Sequence, residues 1–142
     1  MKTKLHFKRR EITIMNLLHI HHIAIICSDY EKSKQFYTEV LGLNILNETY
    51  REERQSYKLD LAIGDNYQIE LFSFPSPPNR LNYPEGTGLR HIAFAVDSVE
   101  NSIIELKKKG VNIESVRVDQ TTGKKFTFLF GPDNQPIELY EI

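Results

Sequence analysis

The amino-acid sequence predicts an α+β fold in which two βαβββ modules are joined by a linker and curl around a central cleft. The prediction depends on an internal repeat. Each half opens with a His, an apolar run and an Asp, and each closes on the tripeptide Ile-Glu-Leu. His22 and Glu70 are 48 residues apart, and His91 and Glu138 are 47 residues apart. Such a repeat indicates two copies of one structural unit.

The first half shows the local signals of one βαβββ module. Residues 22–27 form an apolar run rich in Ile, which predicts a buried strand. Asp29 is a suitable N-cap for an amphipathic helix, and Gly42 suits the C-terminal end of that helix. Residues 57–63 and 67–73 alternate around a Gly-Asp-Asn turn. This alternation predicts a β-hairpin.

The second half repeats these signals in the same order. Residues 91–96 predict a buried strand. Asp97 and Glu100 resemble a capping box at the start of a second helix, and a glycine follows the end of the helix. Residues 125–130 and 136–141 flank a Gly-Pro-Asp-Asn turn, which predicts a second hairpin.

The chain is long enough for one domain, which we predict over residues 19–142. It divides into a first module, a proline-rich linker and a second module, which are residues 19–74, 75–88 and 89–142. Residues 1–18 are basic and show no sustained period. We predict an extension outside the domain, which either precedes a natural start at Met15 or is a disordered arm.

Composition excludes several classes of function. A net charge of −1 provides no basic field for nucleic acid, so we expect no nucleic-acid partner. No apolar run approaches the length that spans a bilayer, so we expect no membrane partner. Cys27 is the only cysteine, which rules out an intrachain disulfide and favours a reducing, cytoplasmic location.

Four side chains are predicted to share the cleft. Glu70 and Glu138 each stand between an Ile and a Leu, so alternation turns both away from the helices. His22 and His91 open the first strand of each half and share that face with alanines, whereas His21 is predicted to face the other way. A single His or Glu is more often a core or solvated residue, but four at repeated positions favour a cation, which offsets the cost of burying carboxylates. Two imidazoles and two carboxylates suit one divalent ion, either Zn, Ni, Co, Mn or Fe, better than Ca or Mg.

Other cleft residues are candidates for substrate contacts. Lys58 and Asp60 lie on the cleft side of their strand by alternation, and they either contact a substrate or form an ordinary salt bridge. Phe126 and Phe128 occupy the equivalent repeat positions. They form either an aromatic cleft wall or part of the core.

Three arginines are candidates for binding an anionic group. Arg51 and Arg54 belong to the charged segment YREER, which is either a solvated face or an anion clamp. Arg117 is the third candidate. Arginine is suited to this role because its planar guanidinium matches a carboxylate or phosphate.

The chain resembles the vicinal oxygen chelate superfamily and, within it, the glyoxalase-I-like proteins. The resemblance covers residues 18–142 and is carried by HHIAI (21–25), FYTEVLG (36–42), IELF (69–72), GLRHIAF (88–94) and GPDNQPIELYE (131–141). A finer resemblance is to a bacterial subgroup, the YaeR-like proteins, through YREERQSYKLDLA (50–62), IELFSFPSPPNR (69–80) and RVDQTTGKKFTF (117–128). The family implies paired βαβββ modules around a metal, with ligands at His22, Glu70, His91 and Glu138.

The resemblance also implies an activity. A Glu at position 70 is similar to the isomerase arrangement of glyoxalase I, a metal-dependent lyase that acts on the thiol adduct of a small α-oxo compound. By that analogy, Glu138 is the general base that moves a proton while the metal holds an enediolate, and Glu70 is a ligand with a second base role. Ile26 stands where glutathione-dependent members have an Arg that contacts glutathione, which argues against this thiol.

The same resemblance leaves two alternatives for the function. One is a different metalloenzyme of the superfamily, a ring-opening dioxygenase or a thiol transferase, whose relatives generally lack a ligand at the Glu70 position. The other is a non-catalytic protein that binds a small molecule. Because the family often pairs modules across chains, a homodimer is expected.

Overall fold

The computed structural model of the chain describes residues 15–142, so the predictions for residues 1–14 lie outside the described residues. Residues 15–22 are exposed and form neither helix nor strand. None of the helices in the described part of the chain is long and apolar enough to cross a bilayer.

Two four-stranded sheets form the fold, as predicted, and each follows the βαβββ order. The first contains β1 (Ile23–Cys27), α1 (Tyr30–Gln35), β2 (Asn44–Arg51), β3 (Ser56–Ile63) and β4 (Asn66–Ser73), with the strands in the order β1-β4-β3-β2. The second contains β5 (Ile92–Val96), α2 (Val99–Lys108), β6 (Arg117–Val118), β7 (Lys125–Phe130) and β8 (Pro136–Glu141), with the strands in the order β5-β8-β7-β6. The pairs β1–β4 and β5–β8 are parallel, and the other pairs are antiparallel.

The helix signals are confirmed at the first helix and corrected at the second. The Asp29 carboxylate accepts a hydrogen bond from the backbone N–H of Lys32 and caps α1, which continues into a wider π-helical turn over Phe36–Val40. The predicted cap at Asp97 is wrong, because Ser98 accepts the corresponding bond from Asn101. Both residue types cap helices, and the backbone conformation decides between them.

One hydrophobic core joins the two modules on the side of the helices. Buried leucines and isoleucines of both hairpins belong to the same cluster, among them Leu59, Leu71, Leu129 and Ile137. Polar contacts also cross between modules. The backbone N–H of Ser28 donates to Asp133 at 3.0 Å, and the Lys109 ammonium donates to the Glu39 carbonyl at 3.0 Å.

Within residues 15–142, the outer strands β1 and β5 carry exposed side chains on the opposite face of each sheet. On β1, Ile25 and Cys27 are buried, whereas Ala24 and Ile26 are exposed. On β5, the two alanines that follow His91 in alternation are likewise exposed. Strand parity therefore separates a core face from an open face in both modules.

Candidate metal centre

The first half-site is the pair His22 and Glu70. His22 precedes β1, and Glu70 lies in β4, whose register sets it beside Ala24 on β1 and Asp60 on β3. The His22 Nε2 atom is 2.8 Å from a Glu70 carboxylate oxygen. Lys58 Nζ is 2.9 Å from the other oxygen of Glu70 and 2.9 Å from Asp60. Lys58 and Asp60 therefore lie on the same face of the sheet as Glu70, where they form a salt bridge.

Two carboxylates, Glu70 and Asp60, share the ammonium of Lys58. Burial by itself raises the pKa of Glu70, but hydrogen bonds from Lys58 and Tyr67 outweigh it and hold the pKa below its ordinary value. Hydrogen bonds to Glu70 and Asp60 in turn raise the pKa of Lys58. Glu70 is therefore an anion in a pocket that it shares with an ammonium group, and one carboxylate oxygen remains directed at His22.

The second half-site is the pair His91 and Glu138. The His91 Nε2 atom is 3.0 Å from a Glu138 oxygen. In β8, Glu138 lies between Ala93 on β5 and Phe128 on β7, which repeats the row around Glu70. Phe128 replaces the acid of that row, and its ring packs edge to face against His91 with centroids 5.0 Å apart. Within residues 15–142, no Lys or Arg lies within 4.0 Å of Glu138.

The two half-sites are not joined within the chain. Among residues 15–142, no group of three or more His, Cys, Asp or Glu side chains could hold one metal ion. The structure thus pairs each predicted histidine with its predicted glutamate, but it does not bring all four residues together.

The predicted arginines lie on aromatic side chains of the open faces. The guanidinium of Arg51 is 4.7 Å from the Phe72 ring centre, and that of Arg54 is 5.2 Å from the Phe74 ring centre. Arg117 lies 4.9 Å from Phe126 and 5.3 Å from Phe128. Phe126 and Phe128 therefore lie on this face as an aromatic wall and are not part of the buried cluster.

Three side chains beside the half-sites were not predicted to lie there: His21, Tyr67 and Arg90. The His21 ring lies 2.8 Å from the His22 ring, Nδ1 to Nδ1, so its predicted opposite orientation is wrong. Alternation fails there because β1 begins only at Ile23. Tyr67 donates to Asp60 at 3.3 Å. Arg90 contacts Nδ1 of His91 at 3.0 Å. Adjacency to a predicted ligand, His22 or His91, is the sequence signal that points to His21 and Arg90.

Comparisons with known proteins agree with this architecture. A family model described as the Glyoxalase/Bleomycin resistance protein/Dioxygenase superfamily matches residues 19–139. Bacillus subtilis YwkD is 60% identical over 127 residues, which cover 89% of this chain and 99% of YwkD. Escherichia coli YaeR is 50% identical over 128 residues, which cover 90% of this chain and 99% of YaeR.

A solved structure extends the agreement to three dimensions. The crystal structure of the glyoxalase family protein from Enterococcus faecalis superimposes with a TM-score of 0.80 and 47% identity, and it covers 87% of this chain and 97% of that chain. The resemblance to the YaeR-like proteins is thereby confirmed at the level of sequence and fold. The chain belongs to the Glyoxalase/Bleomycin resistance protein/Dioxygenase superfamily.

Proposed function

We propose that this chain is the subunit of a homodimeric, metal-dependent lyase or isomerase of the glyoxalase I type. Its substrate would be a small α-oxo compound or the thiol adduct of one. The observation that carries the proposal is the carboxylate beside the histidine in both half-sites, which makes a set of two imidazoles and two carboxylates. Cys27, a single buried thiol, supports a cytoplasmic location.

The half-sites fit a first-row divalent ion. Nitrogen and carboxylate ligands lie about 2.0–2.2 Å from such an ion, and at near-right angles two of them are about 3 Å apart. The observed nitrogen–oxygen separations are 2.8 Å at His22 and 3.0 Å at His91. Each pair is therefore already spaced as two neighbouring ligands. Zn, Ni, Co, Mn and Fe all accept this donor set.

A second copy of the chain would complete the set. Within residues 15–142, β1 and β5 are outer strands that each pair on one side, and residues of both strands line one cavity of about 330 Å³. Their open faces carry alanines and the exposed Ile26. An open strand edge with an apolar face favours pairing with another chain. We infer that the first half-site of one copy meets the second half-site of the other, which gives two sites in a twofold dimer.

The two glutamates are held differently, and this supports distinct roles. Glu70 is anchored by Lys58 and is best suited to remain a ligand. Glu138 contacts the His91 ring and has an aromatic neighbour at the position equivalent to Asp60. Glu138 is thus the carboxylate that shifts at least cost, which suits a general base that takes a proton from carbon and returns it to the next carbon. A bound divalent ion would polarise the substrate oxygen and lower the cost of that proton transfer.

A distant relative supports the reaction class, and one residue argues against the usual thiol. The probable lactoylglutathione lyase of Vibrio cholerae is 30% identical over 125 residues, which cover 84% of this chain and 88% of that protein. Ile26 is 55% exposed on the open face of β1 and provides no charge for a glutathione carboxylate. We therefore propose a different thiol or a thiol-free substrate.

Elemental analysis of the purified full-length protein, followed by methylglyoxal assays with several thiols, tests the proposal. We expect one metal ion per chain, loss of turnover with retained metal in Glu138→Gln, and loss of metal in His22→Gln. Wild-type protein that holds no metal would refute the proposal. Metal without turnover on any adduct would remove the lyase activity and favour a binding protein.

Subunit mixing tests the assembly. A double variant His22→Gln/Glu70→Gln is co-expressed with a double variant His91→Gln/Glu138→Gln. If sites form between chains, each mixed dimer has one intact site, and random pairing restores roughly a quarter of the wild-type metal content. If each site forms within one chain, no site is restored. Analytical ultracentrifugation of the same samples checks that dimers are present.

A further inference from the structure

A cavity beside the second half-site is lined by three arginines and by two glutamates, Glu85 and Glu114. Its volume is about 270 Å³, and it lies between the linker and the open face of the second module. Arg80, Arg90 and Arg117 all line it, together with Phe128. Since the Phe128 ring also packs against His91, the cavity adjoins the half-site directly.

Arg80 has a structural role. Its Nε atom donates to Asn82 at 2.6 Å, its Nη1 atom to Gln135 at 2.9 Å, and its Nη2 atom to the Arg90 carbonyl at 2.9 Å. These bonds fasten the linker to the β7–β8 turn and to the segment that enters β5. Few of the Arg80 donors remain for a ligand.

Arg90 and Arg117 retain most of their hydrogen-bond donors for a ligand. The guanidinium of Arg90 contacts Nδ1 of His91 at 3.0 Å, and within residues 15–142 no carboxylate lies within 4.0 Å of it. Arg117 pairs with Glu114 at 3.0 Å, but both side chains are about half exposed, so this pair is weak. Glu85 also lines the cavity without an ion pair to either arginine.

Phe128 holds these two charges near one ring. The guanidinium carbon of Arg90 is 5.9 Å from the ring centre, and that of Arg117 is 5.3 Å from it. Guanidinium groups on aromatic faces keep their in-plane donors available. Both arginines also line the same cavity, so an anion bound there would be attracted by both positive charges.

We propose that Arg90 and Arg117 bind a carboxylate or phosphate group of the substrate in this cavity. The inference rests on the proposed function in one respect: the carbonyl of the same molecule would lie at His91 and Glu138. The substrate is then an α-oxo acid or an α-oxo phosphate ester, free or as a thiol adduct. The anionic handle that Ile26 cannot contact is supplied by the second module instead.

Anion binding to the full-length protein tests the proposal, both metal-loaded and after removal of metal with EDTA. The probes are inorganic phosphate and succinate, with neutral succinamide as the control. Arginine side-chain signals in proton–nitrogen NMR spectra report the binding. We expect one of the two anions to bind both forms, succinamide to bind neither, and higher salt to weaken the binding. The tighter of the two anions identifies the group as a carboxylate or a phosphate.

Variants assign the binding to the two arginines. Arg90→Gln and Arg117→Gln should each weaken the anion at least tenfold, since each removes charge-assisted hydrogen bonds. Lys125→Gln is the control, because Lys125 is a cation of the same module that pairs with Glu100 and does not line this cavity. Circular dichroism checks folding. If Arg90→Gln does not fold, the anion affinity of Arg117→Gln tests the proposal.

Different experimental outcomes would overturn the anion subsite and the proposed function. Anion binding that is absent from wild-type protein, or that is unchanged in both variants, overturns the subsite even if metal and turnover are found. Anion binding that depends on both arginines in the metal-free protein supports the subsite even if no turnover is found.

Discussion

Lys58 is the side chain whose removal should most clearly expose the electrostatics of the first half-site. Replacement by Met keeps the length of the side chain but removes the ammonium that lies 2.9 Å from both Asp60 and Glu70. These two carboxylates are paired directly across β3 and β4 and share one face. Without Lys58 they are like charges at opposed positions, which destabilises a sheet.

The expected loss follows from the two hydrogen bonds. A hydrogen bond to a charged group contributes about 1.5–3 kcal/mol when buried, and Lys58 is 30% exposed, which reduces each contribution. We expect Lys58→Met to lower the free energy of unfolding by about 2 kcal/mol. For a domain of this size, that corresponds to a decrease in Tm of roughly 6 °C.

Thermal unfolding in EDTA at fixed protein concentration measures this loss. Lys108→Met is the control, because Lys108 has the same 2.9 Å distance to Glu105 but is largely exposed, and it should leave Tm unchanged. Added zinc should narrow the difference between wild type and Lys58→Met, since a cation at Glu70 replaces the missing charge. Equal Tm values for wild type and Lys58→Met in EDTA would show that Lys58 does not neutralise the two carboxylates.

Three further predictions concern groups outside the half-sites. Hydrogen bonding from Lys34 lowers the pKa of Glu48, so Glu48 stabilises the fold above its unfolded-state pKa, and this stability is lost as pH falls through the folded-state pKa. The stability difference between wild type and Glu48→Gln should therefore be present at pH 7 and should shrink as the pH falls below the unfolded-state pKa in urea titrations; a constant difference would contradict this. Cys27 is 2% exposed, and burial raises the pKa of its thiol to about 11, so iodoacetamide at pH 8 should label it only after unfolding in urea. Mass spectrometry measures the label, and rapid labelling of the folded protein would disprove the burial. A Cβ added at Gly131 would lie 3.1 Å from a side chain of each module, so Gly131→Ala should cost about 1–3 kcal/mol in thermal unfolding. Gly86→Ala, with no neighbour closer than 3.5 Å, is the control, and equal losses would argue against the clash.

Local patterns predicted much of the fold, and the exceptions have local causes. The two hairpins appear within one residue of their predicted bounds, because each strand has one face in the core and so alternates clearly. β2 was not assigned from the sequence. Its residues are exposed on both faces except at Arg51, so it shows no contrast between alternate positions. β6 has two residues and carries no period at all.

The equivalence of the two halves was predictable, but the grouping of the four residues was not. Repeat spacing predicted one centre shared by His22, Glu70, His91 and Glu138, whereas the structure forms two separate His–Glu pairs. The position of Arg90 depends on how the linker folds back onto the second module, which Arg80 determines through distant partners. The hydrophobic periodicity of the sequence does not predict how the linker folds.

The sequence by itself therefore determined two βαβββ units and the face of each sheet that carries a Glu, and it predicts the donor types of a metal site. Only the tertiary structure decided that the helix sides of both modules share one core, that the two half-sites remain separate within residues 15–142, and that a cationic cavity adjoins one of them. The reason is physical: alternation and capping act between neighbours in the chain, whereas the placement of one sheet against another depends on which distant apolar surfaces pack together.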